Sequence, residues 1–95
     1  MRLILSPRAA RRLREIQAYL AQEANPHIAL QIVVRIRQSA EMLTDFPRLG
    51  ARWAEGPTRS LLVSGLPYRI HYRLSDDAVE IITIVHTSQR PPEFC

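Results

Sequence analysis

The stretch YRIHYRL, residues Tyr68–Leu74, alternates between two kinds of side chain. Successive side chains of a β-strand point to opposite faces of the sheet, so a period of two predicts a half-buried strand. One face carries Tyr68, Ile70, Tyr72 and Leu74, and the other carries Arg69, His71 and Arg73. The first face is expected to cover a core, and the second poses the question of whether its basic residues form a site.

Further strands flank this one in the sequence. Segments with strand character lie at about Arg59–Ser64 and Val79–His86, separated from the central strand by GLP and SDDA. Turns this short join antiparallel neighbours, so the three strands predict a meander. The apolar segment Arg2–Leu5 predicts a fourth strand at the beginning of the chain.

Two helices are predicted between the first strand and the meander. Ser6 before Pro7, and Asn25 before Pro26, each place a capping side chain ahead of a proline that suits the first helical position. Pro47 ends the second helix. Apolar residues recur at helical spacing in both, at Leu13, Ile16 and Leu20 and then at Ala29, Ile32, Val33, Ile36, Ala40 and Leu43.

The element order β-α-α-β-β-β predicts an α+β fold in which a helical hairpin packs on one face of a small, mainly antiparallel sheet. We expect residues 1–95 to form a single domain, because a chain of this length needs most of its residues for one core. The connector at 47–58 is rich in proline and glycine, and its Trp53 is expected to pack back on the helices.

Composition narrows the possible functions. All 13 basic residues are arginine and the net charge is +4, but the excess lies on the first helix rather than on the C-terminal strands. This distribution makes direct nucleic-acid binding by the protein alone an unfavoured hypothesis. The apolar runs are too short to span a membrane, and the start lacks the apolar core of a secretory signal, so we expect a cytoplasmic protein. With Cys95 as the one cysteine, neither a disulfide nor a metal site nor a cofactor is expected.

A register can be predicted from the turn at 75–78. If Leu74 pairs with Val79, the core face of the two strands is nearly all apolar. The same register gives the outer face these cross-strand pairs, with His86 just beyond them: Arg73 with Glu80, His71 with Ile82, and Arg69 with Ile84. The turn at Gly65 places Leu62 beside Arg69 and Ser60 beside His71.

The residues of this outer face have different expected roles. Arg73 and Glu80 predict a cross-strand ion pair, and His71 predicts an exposed imidazole without a catalytic role. Leu62, Ile82 and Ile84 predict an apolar patch that a solvated sheet face does not need, and such patches mark protein-binding surfaces.

The sequence RSLLVSGLPYRIHYRL followed by VEIITIVHTSQRPPEF, behind a hairpin opened by LSPRAARRLREI, resembles the ParE/RelE superfamily of toxins from type II toxin–antitoxin systems. The resemblance covers roughly Leu3–Pro91. Its specific elements are Tyr68-Arg69-Ile70, Tyr72, and the closing His86-x-x-x-Arg90-Pro91.

The resemblance implies one of two activities on the same fold. Members similar to ParE poison DNA gyrase, block replication and arrest growth, and are not known to be catalysts. Members similar to RelE cut mRNA on the ribosome. The ParE branch fits better, because the chain lacks the lysines and the C-terminal tyrosine of the RelE branch. In either branch Arg69, His86 and Arg90 are the candidate residues, binding the target in a gyrase poison or forming the catalytic set in a ribonuclease. For the ribonuclease, the resemblance to some histidine-bearing relatives also offers His71 and His86 as the acid–base pair. A non-toxic relative that only binds its partner is the third possibility.

The resemblance also implies an antitoxin partner of the ParD kind and a toxin–antitoxin hetero-oligomer. A helix and an extended segment of that partner would cover apolar surface and place acidic residues against arginines. The predicted antitoxin-binding residues are Leu62, Ile82, Ile84, Arg11 and Arg14.

Overall fold

The fold of the chain confirms the predicted class. The computed structural model describes residues 1–53 and 56–88. Two helices pack on one face of a five-stranded sheet with the order β1-β5-β4-β3-β2, in which β1 is parallel to β5 and the other neighbours are antiparallel. The elements are β1 (Arg2–Leu5), α1 (Pro7–Glu23), α2 (Pro26–Met42), β2 (Ala51–Arg52), β3 (Thr58–Leu62), β4 (Tyr68–Leu74) and β5 (Ala78–His86).

Both helices begin where the capping signals predict. The Ser6 side chain accepts a hydrogen bond from the Ala9 amide at 3.0 Å, and the Asn25 side chain accepts one from the Ile28 amide at 2.9 Å. Each capping side chain thus pairs with an amide that has no backbone partner at the start of its helix. The proline that follows each cap has no amide hydrogen, so the first helical position needs no acceptor. The apolar stripes of both helices meet the sheet in one core.

The predicted register holds only for the three pairs of the β4–β5 ladder nearest the turn. Leu74 pairs with Val79, Arg73 with Glu80 and Tyr72 with Ile81, but the next pair is His71 with Thr83. Ile82 is therefore an extra residue, a β-bulge, and every later residue of β5 changes sides.

The start of α1 holds this bulge in place. The Ser6 amide donates to the Ile81 carbonyl at 3.0 Å, and the Ser6 hydroxyl donates to the Ile82 carbonyl at 2.7 Å. Farther along the helix, Arg12 Nε donates to the Ile84 carbonyl at 3.1 Å. The strand backbone at the bulge is thus satisfied from the helix.

The bulge corrects the prediction for Ile84 and His86. Ile70 pairs with Ile84, which is 1% exposed and belongs to the core, so Ile84 does not lie on the outer face. Tyr68 pairs with His86, which therefore lies on the helix-facing side of the sheet. Thr83 and Val85 take the outer positions beside His71 and Arg69.

The connector also differs from the prediction. Residues 51 and 52 form the short edge strand β2, which pairs with Ser60 and Arg59 of β3. The Trp53 amide donates to the Thr58 carbonyl at 2.8 Å, which extends this pairing by one residue. Trp53 consequently reaches the outer face of the sheet and not the helices.

Candidate functional site

The first surface of interest is the outer face, defined here as the sheet side away from the helices, with Leu62 and Ser60 from β3, Arg69 and His71 from β4, and Trp53 above them. The pairings Ser60–His71 and Leu62–Arg69 are as predicted. Leu62 is 49% exposed. This part of the face therefore brings a cation, an aromatic ring and an exposed apolar side chain together.

Arg69 is fixed by two contacts on the outer face. Its Nη1 donates to Ser60 Oγ at 2.9 Å, and its guanidinium carbon lies 5.9 Å from the centroid of the Trp53 ring. Hydrogen bonding and cation–π attraction both restrict the rotamers of a long side chain. Arg69 thus presents a half-buried, oriented positive charge.

His71 lies beneath Trp53 and is buried, so the prediction of an exposed imidazole is wrong. Its ring centroid lies 5.0 Å from that of Trp53, with the two planes at 83°. Burial, followed by the positive charges of Arg69 and Arg8, lowers the pKa of His71 from 6.5 to about 4. At neutral pH the ring is uncharged.

The predicted ion pair on the outer face is confirmed. Arg73 Nε lies 2.6 Å from Glu80 Oε1, and the side chains are 56% and 31% exposed. An ion pair this accessible contributes little to stability. Its consequence for the surface is that the Glu80 carboxylate is already engaged, whereas Arg69 faces outward.

The second surface is a cleft between the helical hairpin and the helix-facing side of β4 and β5. Its volume is about 570 Å³, within the range of sites that take small molecules or anchoring side chains. Tyr68 lies in its wall at 5% exposure, and Tyr19 on its rim is 61% exposed. The lining residues are Arg12, Glu15, Ile16, Tyr19, Leu20, Ile32, Pro67, Tyr68, His86 and Ser88.

His86 is part of this cleft. Its ring meets the Tyr68 ring edge to face at 5.3 Å, and its Nδ1 accepts a hydrogen bond from the Ser88 amide at 3.1 Å. The Ser88 hydroxyl oxygen lies 2.7 Å from the same nitrogen, so the ring is held by the residues that follow β5. Burial raises the pKa of Tyr68, and the Arg12 charge opposes that shift.

The sequence-predicted site residues therefore separate into two groups. Arg69 and His86 lie on opposite faces of the sheet, and Arg90 lies outside the described residues. Leu62 is exposed, Ile82 is partly buried at the bulge and Ile84 is in the core, so the predicted patch of three apolar residues is not formed. Arg11 and Arg14 are exposed on α1.

Sequence reasoning placed Trp53 on the wrong side of the sheet and did not predict the cleft. The proline- and glycine-rich connector carries no strand pattern that would have indicated β2 or its continuation to Trp53. The cleft combines residues from both helices and two strands, and it has no local signal. Across residues 1–53 and 56–88, no three His, Cys, Asp or Glu side chains are grouped to hold a metal ion, and no helix is long and apolar enough to cross a membrane.

Comparison with solved structures identifies the fold. The fold matches the structure described as the chromosomal ParDE TA system from P. aeruginosa with a TM-score of 0.82, over 90% of this chain and 95% of that one, at 22% sequence identity. The two chains thus share the fold of a helical hairpin packed on a small sheet.

Sequence comparison gives the family. The profile of the ParE toxin of type II toxin–antitoxin systems, parDE, matches residues 3–91, and the chain belongs to this family. It is 40% identical over 86 residues to the putative toxin Y4kP of Sinorhizobium fredii (strain NBRC 101917 / NGR234), covering 90% of this chain and 88% of the relative. It is 33% identical over 82 residues to toxin RelE2 of Caulobacter vibrioides, covering 86% and 90% respectively.

Proposed function

We propose that this toxin inhibits DNA gyrase in the cytoplasm, blocks replication and thereby arrests growth, and that a ParD-like antitoxin neutralises it in a hetero-oligomeric complex. The family match across residues 3–91 is the observation that carries the proposal. In this proposal the toxin acts by binding gyrase and trapping it on cleaved DNA, without catalysing a reaction itself.

The positions of the histidines support binding over catalysis. A ribonuclease needs a general acid and a general base within reach of one phosphodiester. Arg69 and His86 lie on opposite faces of the sheet, so they cannot act on the same bond. His71 shares the face of Arg69, but it is 0% exposed and its pKa is lowered to about 4, so it is poorly suited to exchange protons with a substrate at neutral pH.

One observation favours the alternative function of ribosome-dependent mRNA cleavage, namely the 33% identity to a relative named toxin RelE2. Two assays separate the candidates. Purified protein is added to gyrase supercoiling and cleavage reactions, and the same preparation is added to a translating extract whose mRNA is mapped for cuts. We expect inhibited gyrase with accumulated DNA breaks and intact mRNA. Ribosome-dependent cuts with unaffected gyrase would establish the alternative.

Arg69 is the described residue that we propose binds the target. Its charge is oriented by Ser60 and Trp53 and faces outward between Leu62 and Val85. Replacement by alanine is expected to relieve growth arrest, and Arg73→Ala on the same strand is the matched control, because Arg73 is occupied by Glu80. Equal loss of toxicity in two normally folded variants would contradict the distinction between the two arginines.

We propose the cleft as a docking site for the antitoxin. Its apolar wall fits a side chain from an amphipathic helix, and the exposed arginines of α1, among them Arg11 and Arg14, fit acidic residues of the same partner. Leu62 remains a candidate contact for the extended segment of the antitoxin. Ile84 is buried in the core and is not accessible to a partner.

Antitoxin affinity tests this docking site. Tyr19→Ala removes an exposed ring from the rim of the cleft, and Leu30→Ala removes an exposed side chain of α2 that does not line it. In titrations with a ParD-like antitoxin we expect Tyr19→Ala to weaken binding about tenfold or more, as truncation of an anchoring aromatic residue does. Equal affinities of the two variants would move the antitoxin interface elsewhere.

A further inference from the structure

Trp53 lies on the outer face, but the segment that leads to it is held by hydrogen bonds from the helix-facing side of the sheet. The Tyr72 hydroxyl donates to the Pro47 carbonyl at 2.8 Å and accepts from the Gly50 amide at 2.9 Å. Arg59 Nη1 donates to the Gly50 carbonyl at 2.8 Å. Tyr72 and Arg59 both lie on the helix-facing side, where they form a cross-strand pair. Together they fix the backbone at Gly50.

The packing around residue 50 leaves no space for a side chain. A Cβ atom there would lie 2.7 Å from the Ser60 carbonyl oxygen and 2.7 Å from the Tyr72 hydroxyl. The backbone of residue 50 is thus in direct contact with both β3 and Tyr72. Because β2 begins at the next residue, this contact sets the position of the whole edge strand.

Trp53 lies three residues beyond this anchor and on the other face. Its backbone is fixed by Thr58, and its ring covers His71 and contacts the Arg69 guanidinium. A two-residue edge strand supplies few hydrogen bonds of its own. The position of the indole therefore depends on the fastening at Gly50.

Charge indicates what this outer face can bind. Arg69 places its guanidinium beside the Trp53 ring, and the Glu80 carboxylate of the same face is engaged by Arg73. The face is therefore positive around a ring and an exposed leucine, a composition typical of the energetically important centre of protein interfaces. An acidic protein surface complements it.

We infer that Trp53 and Arg69 form one binding surface for an acidic patch of the target, and that Tyr72 is a positioning residue that holds Trp53 in this surface from the opposite face. The inference rests on the proposed function for the identity of the target. Trp53 is a contact residue in it, whereas Tyr72 acts through Pro47 and Gly50.

Fluorescence tests the positioning role without any partner, since Trp53 is the one tryptophan of the chain. Tyr72→Phe removes the hydroxyl and keeps the ring, and Tyr68→Phe is the matched control on the same strand. We expect Tyr72→Phe to shift the emission to longer wavelength and to increase quenching by acrylamide, with Tyr68→Phe unchanged. Wild-type emission and quenching in Tyr72→Phe would overturn the positioning role.

Growth arrest tests the binding surface whatever the target is. We expect Trp53→Ala to weaken the arrest about tenfold or more in the dose required, as loss of an aromatic interface residue does, and Trp53→Phe to restore most of it. Thermal unfolding of each variant controls for folding. Undiminished arrest by a folded Trp53→Ala variant would overturn the surface.

Gyrase reactions distinguish this inference from the proposed function. Inhibition by the wild type and its loss in Trp53→Ala support both. Equal inhibition by the two proteins contradicts the surface and leaves gyrase as the target. If the wild type does not inhibit gyrase, the target is wrong, and the cellular assay alone decides whether Trp53 belongs to the binding surface.

Discussion

Tyr68 and Arg69 are neighbours in the chain and have opposite surroundings. Tyr68 points into the cleft under the helices, where His86 and the apolar residues of both helices meet it. Arg69 points to the outer face, where Ser60 and Trp53 hold an oriented charge. One strand thus supplies a concave, mostly apolar surface on one side and a shallow, positive surface on the other, so two partners can be recognised by different chemistry.

The largest expected effect tests which side of the sheet each residue of β5 occupies. Ile84→Ala is expected to destabilise the fold by about 3–4 kcal/mol, because Ile84 lies in the core, whereas Ile82→Ala at the bulge is expected to cost about 1 kcal/mol. Denaturant unfolding measures both. Equal costs would contradict the bulge and restore the uninterrupted register.

The next effect concerns buried His71 on the outer face. Its pKa in the folded protein is about 4 and its unperturbed pKa is 6.5, so the unfolded chain binds more protons between these values. Above pH 6.5 the His71 ring is neutral in both states, and the folded protein has its full stability. As the pH falls from 6.5 to 4, protonation of the unfolded chain lowers the free energy of unfolding, by about 3 kcal/mol in total.

Ring NMR signals and unfolding at a series of pH values measure this effect. In Trp53→Ala the removal of the covering ring is expected to raise the pKa of His71 toward 6.5, because burial is the largest cause of its shift. An unchanged pKa in that variant would mean that Trp53 does not bury His71.

A smaller effect tests the fastening of the edge strand. Gly50→Ala forces a methyl group to within 2.7 Å of the Ser60 carbonyl, and we expect a loss of about 2 kcal/mol, as overpacking causes. Gly56→Ala is the matched control, since a Cβ there meets nothing within 4 Å, and its effect should stay within about 0.5 kcal/mol. Trp53 fluorescence reports whether the loss is accompanied by exposure of the indole. Similar stabilities of the two variants would contradict a tight contact at Gly50.

The smallest effect belongs to the ion pair of the outer face. Arg73→Ala is expected to change the free energy of unfolding by no more than about 0.5 kcal/mol, because the pair is accessible to solvent. High salt should reduce even this difference. A cost above about 1 kcal/mol would show that Arg73 has a structural role beyond its pairing with Glu80.

The sequence predicted the features that depend on local signals. Ser6 and Asn25 mark both helix starts because a capping oxygen and a following proline act within one turn. Alternation in β4 predicted its faces correctly, and the short turn at 75–78 predicted the first pairs of the ladder.

The remaining features depend on contacts between distant residues. The run from Ile81 to Val85 is β-branched at every position and shows no clear alternation, so nothing in it reveals that Ile82 is an extra residue. The bulge is stabilised by Ser6, which lies 76 residues away in the chain. Because the prediction lacked this extra residue, it placed Ile84 and His86 on the wrong face. For the same reason it did not reveal the cleft that His86 helps to form.

The separation of the two faces can be tested in one cellular experiment. Growth arrest and its neutralisation by a ParD-like antitoxin are measured together for Arg69→Ala and Tyr19→Ala. We predict that Arg69→Ala loses arrest but still binds the antitoxin, whereas Tyr19→Ala keeps arrest and escapes neutralisation. Loss of both properties in each folded variant would show that target and antitoxin share one surface.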